Sequence, residues 1–319
     1  PRKKISIVSG LTYESKLFSR KLTNMLSAKH YYLNSKIDDL TSYEISTPPK
    51  QKENTASQFG WIEALKYEPF NGFHLKASYQ RAIRLPNSKE LFGDGIITFP
   101  AAGLKPEKSH NFNLGFLIDK NNIFGISRLQ FEVNSFYMQV SDMIKLIHQH
   151  MAAGYVNAEK VNIKGLETEL KADITPSVYA YANFTYQDVR DVLDYLPKST
   201  TPNPTKGMRV PNIPYLFANF GAEYHSDKLL RNWHVKAFWD GKFTEEFFYF
   251  WELTEQQKRR IPRSFTNDLG VLLTYRNKYS IALECHNIAN KEVWDQFRRP
   301  LAGRTFYIKL RYVFSKDIF

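Results

Sequence analysis

The sequence predicts an all-β fold, the wall of an antiparallel transmembrane β-barrel with about thirteen strands, and three observations carry that reading. First, apolar residues return at every second position. In Arg304–Phe314 the even positions Phe306, Ile308, Leu310, Tyr312 and Phe314 are apolar while Thr305, Lys309 and Arg311 are polar, so the strand has one greasy and one wet side. The same alternation runs through Phe112–Ile118, Val178–Tyr186 and Trp233–Trp239. Second, most segments sustain it for about ten residues, the length a tilted strand needs to cross a bilayer, against roughly five or six in globular proteins. Third, the wet sides hold charge: Glu167, Glu169, Lys171 and Asp173 in one segment, His74, Lys76, Gln80 and Arg84 in another. That chemistry suits a water-filled lumen and not a sandwich core.

In chain order, strands are expected near 4–14, 21–36, 58–68, 72–84, 108–119, 124–140, 157–174, 177–189, 213–225, 231–243, 263–275, 279–290 and 303–315. Short connections fall at 15–20, 69–71, 120–123, 175–176, 226–230 and 276–278; long ones at 37–57, 85–107, 141–156, 190–212, 244–262 and 291–302. Short turns face the periplasm and long loops the outside. The first strand therefore runs inward from an external N-terminus. An odd count conflicts with the even number of strands in a bacterial single-chain barrel, so residues 1–319 are expected to be the C-terminal portion of a larger one. Leu85-Pro86 ends a strand because proline cannot donate to a ladder, and Gly93 and Gly95 permit positive φ beyond it. At Gly165 the apolar phase shifts from Val161 and Ile163 to Leu166, Thr168 and Leu170, which predicts a β-bulge. Asn287, Asn290 and Glu284 close a strand and are expected to bond loop backbone.

Composition excludes a helical bundle in lipid. Hydrophobic residues are 43% and mean hydropathy is −0.45, with no apolar run approaching a spanning helix. Aromatics reach 15%, with 19 Tyr and 24 Phe, the residues that barrel interfaces use as girdles. The single cysteine, Cys285, shares a strand face with Ile281 and Leu283 as a small apolar filler and excludes an internal disulfide. Pro1-Arg2-Lys3-Lys4 leads into alternation and not into the apolar core of a secretory signal.

Several segments resemble a known family. Residues 80–95 (QRAIRLPNSKELFGDG), followed by 104–111 (LKPEKSHN), are similar to the R-x-P-x-x-x-E-L-F-G … L-K-P-E-x-S-x-N stretch of TonB-dependent outer-membrane receptors. Asn162–Glu167, Val210–Pro214, His286–Lys291 and Pro300–Phe306 match the same family in order and spacing, and Trp294–Phe297 resembles receptors of the Bacteroides group. The resemblance implies a 22-stranded Gram-negative outer-membrane barrel, plugged by an N-terminal globular domain, that imports a scarce small molecule such as a ferric siderophore with energy passed through TonB. The plug and the TonB box do not appear in these residues, so contact with the TonB complex is expected through an absent N-terminal region. A passive porin and a surface adhesin are the alternatives. Similarity to outer-membrane barrels further implies that an aromatic near the C-terminus signals barrel assembly; Phe314 and Phe319 both qualify, and both also suit plain lipid contact.

Enzymatic chemistry has little to stand on: no G-x-S-x-G, H-E-x-x-H, C-x-x-C or phosphate-cradling glycine loop is present, and Asp240 and His234 share a face with no paired serine. No cofactor is expected. His148 and His150 lie on one side of an extended segment but lack a third metal ligand. The net charge of +12 is spread over strands and loops, which argues against nucleic acid; its clusters, Lys258-Arg259-Arg260 and Arg298-Arg299, fall in outward loops where they would meet lipopolysaccharide or an anionic ligand. The densest ligand candidate is Phe247-Phe248-Tyr249-Phe250-Trp251, with Arg259 and Arg260 beside it: the rings could stack on a planar ligand, or continue an aromatic girdle from Phe243. Heme is disfavoured, since 85–107 has no histidine and Ala101-Ala102-Gly103 departs from the family's Gly-Asn step.

Overall fold

Short turns with residues that tolerate positive φ organise the chain into neighbouring hairpins. The structure, a computed structural model, describes residues 2–38, 51–94, 98–149, 152–196, 199–227, 231–254 and 259–314. Its long strands are β1 (Lys3–Leu17), β2 (Leu22–Asp38), β3 (Gln51–Phe70), β4 (Phe73–Arg84), β6 (Glu107–Ile123), β7 (Ile126–Gln149), β8 (Ala152–Thr175), β9 (Val178–Asp191), β10 (Leu216–Ser226), β11 (Trp233–Thr244), β14 (Ser264–Tyr275), β15 (Tyr279–His286) and β18 (Thr305–Tyr312). The intervening pieces are α1 (Ser88–Phe92), β5 (Thr98–Phe99), β12 (Phe247–Phe248), β13 (Arg260–Ile261), β16 (Trp294–Gln296) and β17 (Arg299–Pro300). The thirteen long strands form one antiparallel sheet in sequence order. The β14–β15 turn has Arg276 and Asn277 at φ 48° and 56°, the backbone of a type I′ hairpin, and at Gly72 (φ 72°) of the β3–β4 turn a Cβ would lie 2.2 Å from the Asp119 carbonyl oxygen.

The register assigns every second side chain to one face. On the apolar face, Trp61, Tyr79, Phe112 and Tyr137 form a row with ring centroids 4.8, 4.7 and 6.4 Å apart. Nearer the short turns, Phe70, Phe73, Phe116 and Phe131 form a second row at 4.9, 6.1 and 5.8 Å, and Trp233–Tyr275 and Tyr279–Tyr312 contribute pairs at 5.1 and 5.0 Å. From Trp233 to Phe243 along β11 is roughly 33 Å of strand, or about 25 Å of height at a 40° tilt, the thickness of a barrel's apolar band. Phe306 and Leu310 are 73% and 77% exposed on this face, where a water-soluble protein would have a second layer. The polar face carries ion pairs at 2.8 Å, Lys76–Glu132 and Lys309–Glu284 across strands and Lys171–Glu169 along β8, and Tyr181 donates to Asp240 at 2.6 Å.

Four expectations are corrected. First, Gly165 holds no bulge; the β7–β8 register is continuous there, from Phe136↔Gly165 through to Arg128↔Asp173. Val161 and Ile163 share the face of Glu167 and Glu169, and they are apolar because Val161 packs with Val189 and Val210 against the inner side of a long connection. Glycine is required at 165 because a Cβ would stand 2.4 Å from both Phe136 Cζ and the Tyr186 carbonyl oxygen. The register does shift further up, between Val140 and Ile144, with Asp142 at φ 56°. Second, the long connections 37–57 and 141–156 are partly ladder: β2–β3 pairing reaches Asp38↔Gln51 and β7–β8 pairing reaches Gln149↔Ala152. Third, Glu284 bonds Lys309 and His286 and not loop backbone, whereas Asn287 bonds both the N–H and the carbonyl of Lys291 as expected. Fourth, the connection 85–107 contains α1. Asn87 caps it by accepting from the Glu90 N–H, Glu90 accepts from the Asn87 N–H, and Gly93 follows at φ 66°. Gly95, His150, Lys258 and Phe319 lie outside the described residues, as does the side chain of His148. Phe314 stands just beyond β18, 86% exposed and 5.0 Å from the Tyr312 ring.

The 85–107 connection turns over the polar face. Leu91 and Leu33 are fully buried in a cluster with Leu104 and Ile144, Lys4 Nζ donates to the Pro86 carbonyl at 2.7 Å, and Asn54 donates to that of Leu104 at 2.8 Å. Arg84 ties the two ends, bonding both Glu90 oxygens at 3.0 Å and Glu107 at 2.6 Å. Leu91→Ala should loosen this shelf by about 2–5 kcal/mol, seen as faster hydrogen exchange in α1 with the strand amides unchanged. Gly165→Val should cost about 1–3 kcal/mol and lower the unfolding temperature, whereas Gly103→Ala, with open space around its Cβ, should leave it unmoved.

Candidate functional site

Ahead of β10 the backbone already follows β9. Asp191 N–H donates to the Met208 carbonyl at 3.0 Å and Val210 N–H to that of Val189 at 2.9 Å, while Pro211 and Pro214 interrupt what would otherwise be more ladder. Two buried carboxylates fix this stretch. Asp191 accepts from Asn203 at 2.8 Å, Thr205 at 2.6 Å and the Leu193 N–H at 2.9 Å. Asp188 accepts from Arg190 at 2.7 Å and Arg209 at 2.8 Å, which leaves the Arg209 guanidinium 4.2 Å over the Tyr215 ring.

The next connection lies alongside. Asn212 N–H donates to the Phe248 carbonyl at 2.6 Å, and the β12–β13 ladder pairs Phe247 with Ile261 and Phe248 with Arg260. Arg260 grips Glu252 through two bonds at 2.9 Å, bonds Glu246 at 2.8 Å, and sits 5.0 Å from the Phe248 ring. Those two glutamates hold its pKa well above the usual guanidinium value. Arg263 bonds Glu245 at 2.7 Å and, with the Glu246 N–H, keeps the Glu245 carboxyl below its ordinary pKa.

Two adjoining clefts result. One, about 380 Å³, is lined by Arg209, Tyr215, Phe248, Arg260, Arg263 and Glu246; the other, about 430 Å³, by Arg190, Met208, Arg209, Phe248, Phe250 and Trp251. Arg209 and Phe248 form the ridge between them. These sizes suit small molecules. The five consecutive aromatics do not make one stacking surface: Phe247 is buried, Tyr249 stacks on Phe297 at 5.9 Å, Phe250 is 55% exposed, and Trp251 packs on the Val161–Val189–Val210 cluster with Lys145 over its ring. Phe248, Phe250, Trp251 and Arg260 therefore meet the clefts, while Tyr249 and Arg259 line neither; the Arg259 carbonyl accepts from the Tyr249 N–H. Sequence reasoning missed Arg190, Arg209 and Tyr215. Their signal was present, since Arg209 and Tyr215 flank the Val210–Pro214 segment, but nothing in the spacing joins that segment to residue 248. Every cleft arginine has a carboxylate partner, so a ligand would be held by stacking and by free guanidinium edges more than by net charge. Among the described residues no group of three or more His, Cys, Asp or Glu is placed to hold a metal ion.

No curated protein matches the sequence. Solved structures do. The siderophore receptor PiuA from Acinetobacter baumannii aligns with 98% of this chain and 43% of its own length, at TM-score 0.75 and 16% identity. The copper transporter OprC aligns with 98% and 47%, at 0.71 and 17%. The FrpB iron transporter from Neisseria meningitidis aligns with 98% and 45%, at 0.71 and 15%. The chain thus spans less than half the length of these structures, and at such identities the likeness shows the fold. The family profile described as "TonB dependent receptor-like, beta-barrel" matches residues 21–288, and the chain belongs to that family.

Proposed function

We propose that this chain forms the C-terminal part of the wall of a Gram-negative outer-membrane receptor that imports a scarce small ligand, of the ferric-siderophore type, with energy passed through TonB. The observation that carries the reading is the thirteen-strand sheet with girdled apolar face and charged polar face, which aligns almost end to end with metal and siderophore transporters while filling under half of them. In this reading the polar face lines the lumen, a plug domain and TonB box are supplied by sequence N-terminal to these residues, and the paired clefts around Phe248 and Arg209 meet the ligand at the outer mouth. Their make-up fits an aromatic or chelating ligand with a partial negative charge.

Uptake of radiolabelled ferric siderophores by cells expressing the intact receptor tests this. Accumulation should stop when the proton motive force is collapsed; accumulation that continues would replace the receptor with a passive porin. Phe248→Ala combined with Phe250→Ala should weaken uptake affinity by roughly tenfold, about 1.4 kcal/mol, while Tyr249→Ala leaves it near the parent value. Equal loss in all variants would remove the clefts from the ligand's path.

A further inference from the structure

Arg190 and Arg209 stand directly opposite each other as an isolated antiparallel bridge. Like charges so placed repel, and an anion must hold them together. Among the described residues the two share a single carboxylate: Asp188 Oδ2 accepts from Arg190 Nε and Asp188 Oδ1 from Arg209 Nε. The other cleft arginines are supplied differently, since Arg260 and Arg263 meet three carboxylates, Glu245, Glu246 and Glu252. The Asp188 pair therefore keeps one positive charge in excess, where the Arg260 side keeps none.

The Asp188 side chain is 4% exposed, against 47% and 26% for its two arginines. Because it binds the Nε of each, the terminal nitrogens are left for other partners. Arg190 Nη1 donates to the Gly207 carbonyl at 2.8 Å and Arg209 Nη2 lies 3.5 Å from the Tyr186 hydroxyl, while Arg190 Nη2 and Arg209 Nη1 have no partner among the described residues. Both guanidiniums line the cleft that also holds Phe250 and Trp251. We propose that Asp188 is a positioning residue that makes Arg190 and Arg209 a two-armed seat for a ligand carboxylate, with the adjoining ring or chelate plane against Phe250 and Trp251. A carboxylate fits because its two oxygens match paired guanidinium donors and its single charge equals the excess, which a phosphate would overshoot. The inference rests on the reading of the clefts as the ligand site and narrows that ligand to one bearing an ionised carboxylate.

Titrations of the intact, detergent-purified receptor with benzoate, benzamide and phenyl phosphate, read by saturation-transfer NMR, test it. The parent should bind benzoate roughly tenfold more tightly than benzamide, and more tightly than phenyl phosphate. Arg190→Lys with Arg209→Lys keeps both charges but loses the forked donors, and should erase the preference for benzoate. Asp188→Asn adds a positive charge, so a seat working by charge alone would bind benzoate more tightly; a positioned seat binds it roughly tenfold more weakly. If Asp188→Asn does not fold, the lysine pair decides. Equal or tighter binding of benzamide or phenyl phosphate by the parent, a preference kept by the lysine pair, or tighter benzoate binding by Asp188→Asn overturns the proposal. Energised uptake of ferric siderophores that persists beside any of these results sinks only the seat. A benzoate seat in a receptor whose uptake survives collapse of the proton motive force keeps the seat and removes the importer.

Discussion

In hydrocarbon there is no water to satisfy a backbone N–H or C=O, so each must be paired within the protein, and that requirement shapes everything else in this chain. The ladder meets it with long, nearly uninterrupted registers, such as Lys3↔Lys36 through Leu17↔Leu22. Because the pairing uses main chain alone, side chains are free to serve two different solvents with a period of two. The same requirement makes the sheet's ends consequential. Among the described residues β1 pairs only with β2 and β18 only with β15, so each presents an unpaired edge.

Within the wall, aromatic rings lie across from glycines on the neighbouring strand. Phe136 lies over Gly165, Phe220 over Gly241 and Phe238 over Gly270, each in direct register, and a Cβ on any of these glycines would meet the ring at under 2.5 Å. Ion pairs on the polar face are numerous but partly exposed, so each contributes little to stability. Their consequence is chemical: they give carboxylates on the polar face a cationic partner.

At the long-connection end the physics changes from ladder to buried anchors. Leu33, Leu91 and Val161 are almost fully buried, Asp188 and Asp191 nearly so, and together they hold connections that sequence alone would leave as solvated loops. The anchored connections place Phe248 and Arg209 on a shared ridge between the two clefts.

Alternation by itself determined the all-β class, the antiparallel neighbour order, the thirteen long strands and, outside Val161 and Ile163, which side chains share a face, because the period of two is local to each strand. Leu85-Pro86 and the Asn71-Gly72 turn were equally legible, since proline and glycine act locally. The cause of the phase change near Gly165, the inward shelf built on α1, and the separation of Phe248 from Tyr249 were decided only in three dimensions. Each depends on a contact between residues far apart in the chain, Val161 with Val210, Leu33 with Leu91, Tyr249 with Phe297, and no local pattern encodes such a partner.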